Sequence, residues 1–270
     1  MSKIIIPSYR RANRLMKYND NHTIAYIDPV SMRDTFLFIR EEEKDNYNEV
    51  ALKYGCSLIL LHIPKSKGIP ETRDAILDYA RDHEVEKLIM IDDDLQLNSK
   101  PDAKTYIRMR SERNDFAKMV TDLEHFCSQE FPVVGITARQ FSMEKTKSYD
   151  INTRIIQVYC LYMPIIKTSK IRFSDAGFPF MTDYYFILSL LQAGHKNLCL
   201  NTYCRDDRSQ TSGGCKEMRT AENQSKSAVG LYKKFPDLVT LYQKETGTWQ
   251  ESRINVRIAW RKTWKNPNIE

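Results

Sequence analysis

The sequence is poor in the patterns that build compact metal or disulfide centres. Its six cysteines (Cys56, Cys127, Cys160, Cys199, Cys204 and Cys215) contain no Cys-x-x-Cys pair, and its five histidines contain no His-x-x-x-His pair. These absences argue against the common zinc patterns and against a disulfide frame, and fit the reduced thiols of a cytosolic protein. No apolar run approaches the roughly 20 residues that cross a bilayer, so no membrane partner is expected. The chain opens on the strand-like Lys3-Ile4-Ile5-Ile6 rather than on a signal-peptide pattern. A cytoplasmic location is the expectation. With nine glycines in all, the N-terminus also lacks the glycine-rich loop of a nucleotidyltransferase. That reading ranks low.

What is present describes an ordinary globular protein. At 270 residues, with 28% charged residues and a mean hydropathy of −0.53, the chain can bury a sizeable core, as one large α/β domain or as one domain plus an extension. The net charge of +6 is unevenly spread. Residues 1–204 hold 28 Lys or Arg against 27 Asp or Glu, whereas residues 205–270 hold 13 against 8. A basic C-terminal quarter suggests an anionic partner, nucleic acid being the commonest. An excess this modest is equally what a solvated basic surface carries.

Strand and helix patterns alternate along the chain. Strands are predicted at Lys3–Ile6, Thr23–Ile27, Phe36–Ile39, Leu58–Ile63, Leu88–Ile91, Val133–Ala138, Val158–Met163 and Leu198–Tyr203. Helices are predicted at Asn46–Tyr54, closed by Gly55, and around Ala75, Ile76, Tyr79 and Ala80, with Arg73 in the first turn. Two more fall around Phe116–Phe126 and at Asp183–Ala193, the latter closed by Gly194. Ser142–Thr153 reads as an exposed loop. This alternation predicts a mostly parallel, Rossmann-like sheet flanked by helices.

One stretch stands out chemically. Leu88-Ile89-Met90-Ile91 runs straight into Asp92-Asp93-Asp94. It suits a buried parallel strand emerging at the sheet edge where open α/β folds bind ligands. Three adjacent carboxylates repel one another unless solvent or a cation relieves them. Hard divalent ions such as Mg²⁺ or Mn²⁺ take oxygen ligands and bridge to substrate phosphates. Alone, the same stretch is also what a solvated acidic turn looks like. If strand geometry continues, Asp93 points away from Asp92 and Asp94.

Three segments together resemble the GT-A nucleotide-sugar glycosyltransferases, most closely the family-2-like members: Ile4-Ile5-Ile6-Pro7-Ser8-Tyr9-Arg10, Gly68-Ile69-Pro70-Glu71-Thr72-Arg73-Asp74 and Met90-Ile91-Asp92-Asp93-Asp94. Within that class the chain is most similar to the phage TET-associated enzymes that glycosylate hydroxymethylated DNA bases. The resemblance implies a GT-A-like core over 1–204, with a nucleotide-binding half (about 1–100) and an acceptor half (about 101–204). Residues 205–270 would add a mobile loop and a basic extension that complete the site.

It further implies that Pro7, Ser8, Tyr9, Arg10, Arg73, Asp92 and Asp93 meet the nucleotide-sugar, expected to be a UDP-sugar. Asp94 is expected as the direct ligand of Mn²⁺ or Mg²⁺, with Asp92 beside it. Met181-Thr182-Asp183 stands where the family carries its catalytic acid, making Asp183 the candidate base; Asp183 also suits a helix N-cap. Asp206 and Asp207 are candidates to complete the metal site, with Asp207 the further metal ligand, while Ser212, Gly213 and Gly214 close over the diphosphate. The family-2 likeness implies inversion at the sugar.

The acceptor implied is a 5-hydroxymethyl pyrimidine in phage DNA, in the host cytoplasm. Arg253, Arg257 and Arg261, four apart beside Trp249, Trp260 and Trp264, are candidates to follow a phosphate backbone. Packing of the tail onto the core is the reading the tryptophans suit better. A glycan or small-molecule acceptor, and a non-enzymatic nucleic-acid-binding module, are the alternatives. The sequence does not give the oligomeric state.

Overall fold

A computed structural model describes residues 2–17, 22–64, 67–207, 214, 218–245 and 252–265. Ten strands form one sheet: β1 (Lys3–Pro7), β2 (Thr35–Arg40), β3 (Ser57–Leu61), β4 (Lys87–Ile91), β5 (Leu95–Ser99), β6 (Ile107–Arg108), β7 (Val133–Ala138), β8 (Tyr149–Ile151), β9 (Val158–Tyr162) and β10 (Asn197–Asp207). Their order is β3-β2-β1-β4-β9-β7-β10-β5-β6, with β8 paired to β10. β1, β2, β3 and β4 run parallel, β7 and β10 share their direction, and β9, β5 and β8 run the other way. The mostly parallel α/β architecture is therefore as the alternation predicts.

The helices are α1 (Ala12–Lys17), α2 (Pro29–Met32), α3 (Lys44–Tyr54), α4 (Ile69–Asp82), α5 (Asp115–Phe126), α6 (Met163–Ser169), α7 (Thr182–Gln192) and α8 (Ala221–Lys234). Leu15 of α1, Tyr47 and Val50 of α3, and Phe116 and Met119 of α5 bury on one face of the sheet, with Ile4, Ile6, Ile89 and Ile91. Ile76 and Leu77 of α4, Ile166 of α6 and Phe186 of α7 bury on the other face, with Ile5, Leu88 and Met90. A strand alternates its side chains, so a strand covered on both faces reads as an unbroken apolar run. That is why β1 and β4 are uniformly hydrophobic.

Strand order places the site. From β1 the chain moves outward to β2 and β3, and β4 then returns to the opposite flank of β1. Ile5 pairs with Met90, so Pro7 and Asp92 leave the sheet side by side at a topological switch point. Gly135 holds the centre of β7 against its neighbours. A Cβ there would lie 2.4 Å from Ile155 Cγ2 and 2.7 Å from the Val158 carbonyl oxygen.

Three local expectations differ from the structure. Thr23–Tyr26 is a 3-10 turn rather than a strand, because its groups splint the aspartate turn. Thr23 N–H donates to the Asp93 carbonyl at 3.1 Å, and Thr23 Oγ1 donates to the Asp92 carbonyl. The Ser142–Thr153 segment contains β8, antiparallel to β10. Residues 205–207 belong to β10, paired with Leu97, Gln96 and Leu95, rather than to a loop. Residues 208–213 lie outside the described residues.

The C-terminal segment forms α8 and an antiparallel pair, β11 (Val239–Lys244) and β12 (Arg253–Ile258). Leu231, Val239, Val256 and Trp260 pack with Leu188 of α7. Trp264 donates its Nε1–H to the Gly194 carbonyl at 3.0 Å. Trp260 and Trp264 thus pin the tail to the core instead of presenting their rings to a ligand; Trp249 lies outside the described residues.

Candidate active site

Around the switch point lies a cavity of about 550 Å³. Pockets for small-molecule and cofactor ligands typically span about 300–1,000 Å³. Its wall includes Pro7, Ser8, Tyr9, Arg10 and Arg11 after β1, Arg73 on α4, Asp92, Asp93 and Asp94 after β4, Asp183 and Tyr184 on α7, and Gly214. The C-terminal segment closes it with Met218, Arg219, Gln224, Arg253 and Asn255.

Two guanidiniums divide the acidic groups between them. Arg73 is 2% exposed, far from the solvated arginine its helix position could have offered. It sits one turn into α4, whose start is fixed by Glu71 accepting the Gly68 N–H at 2.9 Å. Its Nη2 donates to Asp92 Oδ1 at 3.0 Å and Oδ2 at 3.2 Å, and its Nη1 donates to Asp183 Oδ1. Burial alone would lower the Arg73 pKa. The carboxylates of Asp183 and Asp92 more than reverse this and hold it above its ordinary value. For Asp92, burial dominates, and the neighbouring charges of Asp183 and Asp94 act in the same direction against the pull of Arg73. Its pKa rises to about 6.

Asp183 is the second residue of α7 rather than its N-cap, which is Met181 at φ 60°. A carboxylate in the first turn still complements the helix dipole. Tyr159 Oη also donates to Asp183 Oδ1. Tyr159 is fully buried, and burial followed by the Asp183 charge keeps its phenol protonated far above the usual range. Both partners thus hold Oδ1. Asp74, next to Arg73, accepts the Phe173 and Ser174 N–H groups at 2.8 and 3.1 Å, tying the segment before α7 to α4.

The second guanidinium belongs to Arg11. Its Nη1 pairs with Asp93 Oδ1, and its Nη2 lies 3.0 Å from Asp94 Oδ2. Desolvation opposes the Arg11 charge, but Asp93 and Asp94 outweigh it and raise its pKa. Asp93 also accepts from Ser8 Oγ, which lies 2.7 Å from Tyr47 Oη. Asp92 is held by Arg73, whereas Asp93 and Asp94 share Arg11, so Asp94 sides with Asp93 rather than with Asp92. Adjacency in sequence does not reveal this partition. Arg11 closes the polar, basic stretch Pro7–Arg11 that follows β1, a stretch whose place at the sheet edge suits an anionic nucleotide; its pairing with Asp93 and Asp94 is what spacing does not show.

The remaining predicted residues fall as follows. Arg10 adopts φ 55°, its N–H donates to Glu43 at 2.8 Å, and its guanidinium lies 4.9 Å from the Tyr9 ring centre. Arg40 covers the same ring at 4.3 Å. Gly214 lines the cavity at φ 63°, with its N–H donating to the Tyr9 carbonyl at 3.0 Å. Gly213 and Ser212 lie outside the described residues. Asp206 is engaged by Arg139 Nη1 at 3.1 Å. Asp207 has only its backbone described, in β10 opposite Leu95. The expected single row of Arg253, Arg257 and Arg261 is split. Arg253 is buried in the cavity wall, while Arg257, 5.5 Å from the Tyr242 ring, and Arg261 are exposed. Arg253 and Arg257 both lie in β12, but Arg253 stands at its start in the cavity wall, where α8 packs on the strand, whereas Arg261 falls in the turn after β12 has ended.

Among the described residues no three Asp, Glu, His or Cys side chains converge on one point as a metal site. Asp92 and Asp94 do provide hard carboxylate oxygens on the cavity wall. One or two carboxylates are what a Mg²⁺-type ion takes when substrate phosphates supply its other ligands. The donor set fits an ion that arrives with a diphosphate.

The family of TET-associated glycosyltransferases matches residues 2–214, and the chain is a member of it. No curated protein matches it. Among solved structures it is similar to S. aureus TarS 1–349, at 13% identity and TM-score 0.45, over 86% of this chain and 65% of that one. It is also similar to GalNAc-T7 with UDP, GalNAc and Mn²⁺, at 11% identity and TM-score 0.44, over 77% and 43%. A third likeness is to a cytidylyltransferase from Leptospira borgpetersenii, at 10% identity and TM-score 0.36, over 63% of each chain. The chain therefore spans less than two thirds of the length of each.

Proposed function

We propose that the protein is a GT-A-like glycosyltransferase that moves a sugar from a UDP-sugar to the hydroxyl of a 5-hydroxymethyl pyrimidine in DNA, with inversion. The support is the disposition of Asp183: Arg73 and Tyr159 both hold Oδ1, so Oδ2 is the oxygen that no hydrogen bond engages among the described residues. An acceptor hydroxyl is a weak nucleophile near neutral pH and needs a carboxylate in reach to take its proton. Asp183 Oδ2 is that acceptor in this reading. Arg73 fixes the base and ties it to Asp92, so donor and acceptor sites share one rigid cation.

Pro7, Ser8, Tyr9, Arg10 and Gly214 would line the nucleotide, with Asp93 fixing Ser8 and Arg11 beneath it. Asp94 and Asp92 would hold Mn²⁺ or Mg²⁺ together with the diphosphate, and the ion would neutralise the charge of the leaving group. Residues 1–100 would thus serve the donor and 101–204 the acceptor. The 205–270 extension would complete the site with Arg253, and Arg257 and Arg261 would offer charge outside it. A base in duplex DNA would have to leave the stack to reach Asp183.

The test is incubation with UDP-sugars, Mn²⁺ and hydroxymethylcytosine DNA, followed by nucleoside mass analysis. A gain of one sugar on hydroxymethylcytosine is expected. Transfer to a glycan without any nucleoside gain would replace the acceptor, and release of pyrophosphate from a nucleoside triphosphate would replace the reaction.

A further inference from the structure

On the acceptor side of the cavity lies a basic and aromatic face. β7 and β4 are both antiparallel to β9, so the turn Arg139–Phe141 leaves the same sheet edge as the aspartates. Phe141 is 50% exposed. The Arg154 guanidinium lies 4.9 Å from the Phe141 ring centre and 5.3 Å from that of Tyr184, the cavity residue next to Asp183. Two residues before Phe141, the Arg139 guanidinium lies 4.9 Å from the Tyr106 ring. A continuous chain of ring and cation contacts therefore leads from the cavity wall to solvent.

This face carries a net positive charge. Residues 100–113 and 139–154, with Asp206, which pairs with Arg139 at 3.1 Å, hold nine Lys or Arg against five Asp or Glu. The two segments are joined directly, by Glu144 N–H to the Ala103 carbonyl at 3.2 Å and Lys100 Nζ to the Lys145 carbonyl at 2.7 Å. Arg154 Nε has no hydrogen-bond partner among the described residues. An exposed ring beside guanidiniums suits a ligand with alternating aromatic and anionic groups: bases stack on the ring and phosphates meet the cations. A neutral glycan would satisfy the ring and leave the charge uncompensated.

Resting on the DNA-acceptor reading above, we propose that the face formed by Arg139, Phe141 and Arg154 seats a nucleic-acid strand and feeds one of its bases past Tyr184 into the cavity. The β11–β12 pair with Arg257 and Arg261 is then not the main track of the backbone.

Fluorescence anisotropy of the full chain with a labelled hydroxymethylcytosine oligonucleotide, over a salt series, tests this. Phe141→Ala is expected to weaken binding roughly tenfold, as the loss of one stacked base does. Arg154→Ala should lower the slope of log affinity against log salt by about one phosphate contact, and Arg154→Lys should recover the slope without the full affinity. Arg257→Ala with Arg261→Ala should stay within about twofold of the parent. Melting curves establish that each variant is folded; Phe141, being at the surface, is the variant that decides if Arg154→Ala is not.

Parental affinity in Phe141→Ala, or a loss confined to Arg257 and Arg261, would overturn the proposal, as would displacement of the oligonucleotide by a neutral oligosaccharide with no response to salt. Oligonucleotide binding that responds to Phe141 and Arg154 without any sugar transfer would sink the enzymatic reading and leave the face standing. Sugar transfer to DNA that ignores both residues would do the reverse.

Discussion

Arg73 and Asp183 stand 110 residues apart in the sequence and share a hydrogen-bonded ion pair, with the guanidinium 2% exposed and the carboxylate at the cavity wall. The same guanidinium grips Asp92, so the helix after β3, the turn after β4 and the start of α7 are locked together. Removing one member of a buried ion pair leaves an uncompensated charge, which typically costs about 3–5 kcal/mol. Arg73→Ala is therefore expected to lower the urea midpoint strongly and to abolish transfer.

Asp183→Asn separates chemistry from binding. It keeps the shape and can still accept from Tyr159, but it cannot take a proton. The expected result is a fall in kcat of roughly 10²- to 10⁴-fold, with UDP affinity by calorimetry close to the parent. An equal fall in affinity would make Asp183 a donor ligand instead of the base.

Arg11 makes a measurable statement about the metal. It pairs with Asp93 and Asp94, and Asp94 is one of the two carboxylates proposed to hold the ion. Arg11→Gln should lower the melting temperature in the absence of metal, and Mn²⁺ should restore more stability to the variant than it adds to the parent. Asp94→Asn should weaken Mn²⁺ binding in the presence of UDP. Equal Mn²⁺ effects on all three proteins would remove Asp94 from the metal site.

At Gly214 a Cβ would lie 2.7 Å from Arg11 Nη2, and the backbone stands at φ 63°. Gly214→Ala must displace that guanidinium as well as bear the left-handed conformation, which costs roughly 1 kcal/mol for a residue with a Cβ. UDP binding is expected to weaken about tenfold, a factor equivalent to about 1.4 kcal/mol, read by calorimetry.

Asp92 gives the metal-free protein a pH signature. Its pKa rises from 3.8 in the unfolded chain to about 6 in the fold. The folded state holds the proton more tightly, so this residue's contribution to stability is greatest below about pH 4 and declines as pH rises to about 6. The loss is on the order of 2–3 kcal/mol at 1.36 kcal/mol per pKa unit. Chemical denaturation at pH 4.5 and pH 7 should show this decline in the parent and a smaller one in Asp92→Asn.

The sequence by itself determined the local elements. The apolar runs of β1 and β4, the Gly55 stop of α3 and the amphipathic spacing of α5 are set by interactions a few residues long, so they are legible along the chain. So was the chemistry at the end of β4, because three adjacent carboxylates demand compensation wherever they fold. The 3-10 turn at Thr23–Tyr26 was not legible, since its hydrogen bonds go to the Asp92–Asp94 turn some seventy residues away.

Which cation meets which aspartate was decided only by tertiary structure. Asp92 joins Asp183 on Arg73, while Asp93 and Asp94 join on Arg11. The burial of Arg253 and the exposure of Arg257, four residues apart, likewise follow from α8 and the cavity rather than from spacing. Ion pairing depends on distance and burial, and both are fixed only when strands remote in sequence become neighbours in the sheet.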